Sequence, residues 1–253
     1  VSKFGRLEAK VKFATAHTVS ATNSVGGPST VTIAAGSYYP TDLLTEFATQ
    51  LNASRASGWT VSGAFTEGGT GLVTIHCTNV NWSITWTSTT LRDLLGFTGN
   101  ISAVSVAQTG TNAMKGVWLP DCPISIEDDA TVGAYLSDLR QSISPTGSVL
   151  SLVGNTYRRH RNVSWSHVSK ARARATATTT MAYEAWFYDT QMGGNASFAA
   201  GSRVALYVDA TTPTLLGYYQ LADVNTTDMD QSVQGWAGRW KVSLPTLIYQ
   251  AAG

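Results

Sequence analysis

A chain of 253 residues, 13% of them charged and 10% aromatic, is long enough for one large β-rich domain or two small ones and can bury a core without disulfide or metal staples. A formal charge of +1 gives no whole-molecule attraction to nucleic acid or an anionic membrane, and no apolar run approaches the ~20 residues a spanning helix needs. Weakly charged surfaces rich in Ser, Thr, Gly and aromatics suit a subunit packed among copies of itself, an ordinary monomeric sandwich being the competing reading. Cys77 and Cys122 are too few for a disulfide framework and lack zinc spacing, so both are expected as free thiols. The chain starts at Val1, so an initiator residue or a longer leader is expected upstream; no signal-peptide pattern remains.

In residues 1–30, Val11, Phe13 and His17 mark a strand and SVGGPS a turn, which together read as a hairpin. The best-specified stretch follows. Thr32 and Ile33 end a strand, Gly36 breaks it, and Pro40 stands where a first helical position tolerates a missing N–H. Asp42 and Glu46 lie near the positive end of that helix, and Leu43, Leu44, Phe47, Ala48 and Leu51 form one apolar face that needs a sheet to cover. Three β-favouring runs supply it: Trp59, Val61 and Phe65; Leu72, Val73 and Ile75; Trp82, Ile84 and Trp86. The EGGTG segment, Glu67 to Gly71, is a turn. Thr90 and Asp93 imitate a capping box for a short helix, whose Leu91, Leu94 and Leu95 pack down and whose Gly96 can take the left-handed conformation. Beyond Phe97 the chain is polar and Gly-rich, with Val104 and Val106 marking a further strand.

The order strand, helix, three strands, short helix resembles a small α+β module of virion structural proteins, especially those of tailed bacteriophages. Gly36, Tyr38, Leu43, Leu51, Gly71, Val73, Ile75, Trp86, Leu91, Leu95, Gly96 and Phe97 carry the resemblance over about a quarter of the chain. It implies a part of a virus particle rather than any one part.

From Trp118 onward, Ile124 and Ile126 suggest a strand, Glu127, Asp128 and Asp129 a polar loop, and Val132 to Leu139 a weak helix or strand. The acidic triplet lacks the alternating ligand spacing of a calcium loop. Strands broken by a loop at Gly193 and Gly194 come next, then RVALYV and LLGYYQL as strands, and a closing pair with Pro245 at an edge or bulge. A strand with Val163 and Trp165, a basic Ala/Thr-rich stretch, a strand with Glu184, Trp186 and Phe187, one running from Gly201 through Val204, Leu206, Tyr207 and Val208 to Asp209, and a last strand with Trp240, Val242 and Leu244 resemble in outline a β-domain of non-contractile phage tails, of the tube or distal-tail kind.

The fold expected is therefore α+β to mainly β: an α+β module over 1–117 with an antiparallel sheet, then a mostly antiparallel, sandwich-like β-domain over 118–253. No G-x-S-x-G, HExxH, P-loop or G-x-G-x-x-G motif occurs. His17, His76, His160 and His167 suit no common ligand set, and no carboxylate pair stands in a hydrolase context. No catalytic residue, metal or cofactor is expected. Trp82, Trp86, Trp118, Trp186, Trp236 and Trp240 read first as core and contact residues and second as sugar-stacking platforms.

One run has a physical mechanism of its own. Arg158, Arg159, Arg161, Lys170, Arg172 and Arg174 fall within 17 residues and no acid lies among them. ARARATATTT reads as an alternating strand that puts Arg172 and Arg174 on one face. Exposed pairs return at most ~1 kcal/mol each, so compensation must come from elsewhere in the fold, from a neighbouring subunit's Glu127 to Asp129, or from nucleic acid in a channel. Subunit contact is the favoured expectation, a solvated face the competing one.

Together these readings suggest a non-enzymatic subunit of a phage tail, assembled in the host cytoplasm into a ring or tube with copies of itself and other virion proteins. Nucleic acid would enter only as cargo, and no membrane is involved. A glycan- or receptor-binding module of a tail tip or fibre and a carboxylate-dependent hydrolase are the alternatives.

Overall fold

The computed structural model describes residues 4–54, 58–66, 68–128, 135–136, 139–143, 149–153, 157–158, 160–174, 182–208, 214–221, 228–231, 239–244 and 247–250, with the backbone alone described in 126–162, 228–231 and 247–250. The fold is mainly β, with several antiparallel sheets and few helices.

The chain opens with β1 (Gly5–Ala9), β2 (Val11–Phe13), β3 (His17–Asn23), β4 (Gly26–Ile33) and β5 (Gly36–Tyr38). The single strand expected from Val11 to His17 is thus two, β2 pairing with β5 and β3 with β4. The reversal expected over SVGGPS is tighter than read. Asn23 Oδ1 accepts the Val25 N–H at 3.1 Å, and Gly26 to Ser29 already lie in β4.

Helix α1 (Pro40–Ser54) starts at the proline, as the spacing predicts, and buries Leu43, Leu44, Phe47 and Leu51. It packs on β4 and on β6 (Trp59–Gly63). Asn52 fixes that connection: its Oδ1 accepts the N–H groups of Gly58 and Trp59, and its Nδ2 donates to the Ala48 and Trp59 carbonyls, all at 2.8–3.0 Å. Phe65 lies beyond the end of β6 rather than in it, yet is buried.

After β7 (Leu72–Cys77) come β8 (Trp82–Trp86), α2 (Thr89–Leu94), β9 (Ile101–Val104) and β10 (Gln108–Ala113). The three strands read as one sheet divide between two. β6 and β7 join β10 in the order β10-β7-β6, while β8 crosses to the sheet β4-β3-β8-β9. The reason is a shared aromatic core: Trp82 meets Trp59 edge to face at 5.5 Å, and Trp86 lies between Phe47 at 6.0 Å and Phe97 at 5.4 Å. Two small sheets and one helix can bury three tryptophans that a single three-stranded sheet would leave half wet.

The cap of α2 is Ser88, not Thr90. Its Oγ accepts the Leu91 N–H at 3.2 Å, the third-residue donor that a side-chain cap serves. Gly96 has φ +82°, and a Cβ there would collide with the Asn112 carbonyl. Both facts require the glycine of LLGF.

Ser88 also meets His17 Nδ1 at 2.7 Å, and Phe13 stands edge-on to the imidazole at 4.4 Å. The direction of that hydrogen bond follows the imidazole tautomer, and burial lowers the His17 pKa. A depressed histidine contributes stability that is present above its unfolded value and lost as pH falls from there through the folded value. Wild type is therefore expected to lose its Tm advantage over His17→Asn as pH is taken from about 7.5 to about 5. A constant difference across that range would show that His17 does not titrate with folding.

The second half contributes β11 (Val117–Trp118), β12 (Ser125–Asp128), β13 (Tyr135–Leu136), β14 (Leu139–Ile143), β15 (Val149–Val153), β16 (Tyr157–Arg158), β17 (His160–Ser169), α3 (Lys170–Ala173), α4 (Tyr183–Thr190), β18 (Val204–Val208), β19 (Thr214–Leu221), β20 (Asp228–Gln231), β21 (Arg239–Ser243) and β22 (Leu247–Gln250). Nine strands form one sheet in the order β11-β1-β18-β19-β22-β17-β21-β20, with β12 also on β17. β1, from the chain's first residues, sits inside this sheet between β11 and β18.

The strand expected through Glu184, Trp186 and Phe187 is helix α4. Its buried residues Tyr183, Trp186, Phe187 and Thr190 follow the helical period, which outweighs the β-preference of the individual aromatics. The strands read at RVALYV and LLGYYQL are β18 and β19, and those with Trp165 and Val242 are β17 and β21. Pro245 and Trp236 lie outside the described residues.

Candidate subunit-contact surface

The start of ARARATATTT is not an alternating strand, and its remainder, residues 175–180, lies outside the described residues. Lys170 to Ala173 form one helical turn, and Ser169, which precedes it, gives its N–H to Asp121 Oδ1 at 3.0 Å. A single turn rotates Arg172 inward. Its guanidinium is half-buried and donates to the Gly69 carbonyl at 2.9 Å, while its own carbonyl accepts the Trp118 indole N–H at 2.9 Å. Burial lowers the Arg172 pKa and Asp121 opposes the shift. Arg174 is exposed and lies over the Trp240 ring at 4.8 Å, and Lys170 is exposed.

Further back, Arg161 stands in β17 in register with Asp128 of β12 on one side and Leu247 of β22 on the other. Arg158 pairs with Tyr135 in the ladder of β13 and β16. Arg159 and Asp129 lie outside the described residues. The backbone ladder thus sets Asp128 of the acidic segment beside Arg161 of the same chain, an arrangement within the fold that stands with a neighbouring subunit among the expected sources of compensation. A register pair of this kind is not visible from sequence separation.

Arg172 consequently joins the EGGTG turn of the first half to the aromatic core of the second. Removing it with Arg172→Ser is expected to destabilise the isolated subunit by about 1.5–3 kcal/mol, the range for a hydrogen bond to a charged group, whereas Arg174→Ser loses about 0.5–1 kcal/mol of cation–π attraction. Urea unfolding of the two purified variants separates them, and equal midpoints would show that the Gly69 contact carries no stability.

Next to the run, Asp121, Cys122, Pro123, His167 and Arg239 line a cleft of ≈ 350 Å³. Cysteine beside histidine and aspartate invites a nucleophilic reading, but its electrostatics oppose one. Burial pushes the Cys122 thiol up and Asp121 adds to the shift, outweighing the His167 backbone N–H and Arg239, whereas a reactive thiol needs its pKa lowered. Asp121 is already occupied by Ser169 and by Arg239 at 3.6 Å. No group of three metal-ligating side chains occurs among the described residues.

The aromatics are turned in rather than out. Trp82, Trp86, Trp118 and Trp186 are buried, Trp240 is half-buried, and Tyr188 is the exposed aromatic among the described residues.

A surface of another kind lies on the first half. Residues 13–41, 68–91 and 94–114 contain no Lys, Arg, Asp or Glu, and they supply β3, β4, β7, β8, β9 and β10. On the outer side of the sheet β4-β3-β8-β9, hydroxyls align across the strands: Thr32 beside Thr18, Thr30 beside Ser20 and then Thr85, Thr22 beside Ser83. Thr18 Oγ1 meets Thr87 Oγ1 at 2.8 Å. At one end of this sheet Val25, Val80 and Val106 are 64%, 54% and 64% exposed, on loops held together by the bonds Ser24 N–H to Val80 O and Asn81 N–H to Ser105 Oγ. Composition hinted at this neutrality, but only the sheet order collects it on one face.

No family model, curated protein or solved structure matches the chain.

Proposed function

We propose that this chain is a structural subunit of a tailed-phage virion, a tail component that assembles with copies of itself and with neighbouring tail proteins into a ring or tube. The observation that carries the reading is the neutral outer face of the sheet β4-β3-β8-β9, tipped by three exposed valines and free of ionic side chains. Surfaces meant for water are normally interspersed with charge, which keeps them from associating. A hydroxyl and aliphatic face carries no desolvation cost of buried ions and is suited to being covered. The tail-like order of elements over residues 31–97 supports the same assignment, whereas the outline from Val163 to Leu244 loses one of its strands to α4. In this reading Lys170 and Arg174, exposed cations among the described side chains of the basic run, form a secondary contact.

The expected result is that the purified chain forms rings or short tubes by electron microscopy and sediments as a defined oligomer. Because the main contact is uncharged, raising salt from about 0.05 M to about 1 M, where charges are screened beyond ~3 Å, leaves the oligomer intact. Dissolution at high salt would transfer the main contact to the basic run. A stable monomer at every concentration would overturn the proposal.

A further inference from the structure

The edges of the three larger sheets are not treated alike. In the sheet β10-β7-β6, one edge is tied down by the bond from Asn112 N–H to the Gly96 carbonyl and the other by Asn52, which holds both the N–H and the carbonyl of Trp59. In the nine-stranded sheet, β20 carries Asp228 and Asp230 at its edge, and β11 at the other edge is two residues long. Anchoring bonds, acids and very short edge strands are how proteins keep free edges from pairing with another chain.

Among the described residues, the sheet β4-β3-β8-β9 has neither an anchoring bond nor an acid along its two edges, and β9 carries a bulge between Ile101 and Val104. β4 and β9 each pair on one side only, and among the described residues no hydrogen bond reaches the other side of either. Neither strand contains a charged residue. Pro28, near the start of β4, blocks pairing there, which leaves Ser29 to Ile33 against the four residues Ile101–Val104 of β9.

Direction then selects the partner. Four strands, each antiparallel to the next, place β4 and β9 in opposite senses at the two edges. Copies set side by side in the same orientation therefore meet antiparallel, β4 against β9. The three-stranded sheet has edges running the same way and would have to pair in parallel. Sidedness agrees as well: Val31 and Ile33 of β4 and Ile101 of β9 are buried and Val104 packs on the core, while Thr30, Thr32, Ser102 and Ala103 are exposed, the bulge in β9 taking up the extra residue. Antiparallel pairing puts like faces together, so the core and the hydroxyl face would both run on across the junction.

We propose that the outer edge of β4 in one copy pairs with the outer edge of β9 in the next, head to tail, making one continuous sheet through the assembly. The proposal rests on the ring or tube reading above but can fail independently of it.

The test uses the full chain with Ser102→Cys combined with either Thr30→Cys or Thr32→Cys, oxidised after assembly and run on a non-reducing gel. Directly opposed residues of an antiparallel pair have Cα atoms ~4.5–5.5 Å apart, within disulfide reach, and the buried Cys77 and Cys122 of the parent chain provide the background. One of the two double variants should give a ladder extending beyond the dimer, and no single variant should. A dimer from Thr30→Cys or Thr32→Cys alone would replace the inference with a two-fold β4 contact. Intact oligomers with no crosslink would overturn it while leaving the ring reading standing, and monomers throughout would remove both.

Discussion

Replacing Glu8 with alanine is expected to destabilise the protein by about 3–5 kcal/mol, the range for breaking one half of a buried ion pair, and to lower Tm by roughly 6–20 °C for a chain of this size. Glu8 lies in β1 with no exposure, and its Oε1 meets Arg6 at 2.8 Å. The same carboxylate accepts the Thr41 N–H at 3.0 Å and its hydroxyl at 2.7 Å, supplying the negative charge that the first turn of α1 favours. Arg6 in turn donates to the Phe65 carbonyl at 2.8 Å and stacks under Tyr207 at 4.3 Å. One pair of side chains thus binds the start of the helix, the end of a hairpin strand and the large sheet together.

Burial raises the Glu8 pKa, while Arg6 and Thr41 pull it back. Losing Glu8 would strand the Arg6 charge in the same dry site. Converting both residues to methionine should cost less than Glu8→Ala, because no unpaired charge remains. A Tm change below ~2 °C for Glu8→Ala, well under the range above, would mean that water reaches Arg6 and that the network is not the joint described.

Trp118→Ala is the second large effect, at about 3–5 kcal/mol for truncating a fully buried aromatic. Trp118 is edge-on to Trp165 at 4.8 Å and to Tyr183 at 5.0 Å, and Tyr183 stacks with Trp186 at 5.7 Å. Its indole N–H holds the Arg172 carbonyl. Trp118→Phe keeps most of the ring contact and removes that hydrogen bond, so about 0.5–1.5 kcal/mol is expected. Thermal unfolding by near-ultraviolet circular dichroism measures both, since the coupled aromatics report their own packing. Equal losses from the two variants would assign the effect to the hydrogen bond alone, and no loss from either would remove Trp118 from the core.

The Arg172 contact and the Trp118 contact are two ends of one connection. Gly69 belongs to the first half, Arg172 to the turn after β17, and Trp118 to the short strand between them in sequence. Variants at both positions are expected to be non-additive, because residues sharing one hydrogen-bonded chain couple.

What the sequence determined by itself was local. Pro40 and the spacing of Leu43, Leu44, Phe47 and Leu51 specify α1, alternation specifies β7 and β8, the aliphatic run after Gly201 specifies β18, and Gly96 specifies the end of α2, because each depends on neighbours within a few residues. The same signal was present at Tyr183, Trp186, Phe187 and Thr190, where residue-type preference obscured it. Tertiary structure decided the rest. Besides Asp42, which the sequence places in the first turn of α1, that turn is served by the carboxylate of Glu8, 33 residues before Thr41. Asp128 is placed beside Arg161 by a ladder, and Arg172 is turned to Gly69 across the fold. Strand order leaves β4 and β9 as uncharged edges of opposite sense. Ladder register and sheet order depend on which distant segments share a core, and local periodicity carries no information about that choice.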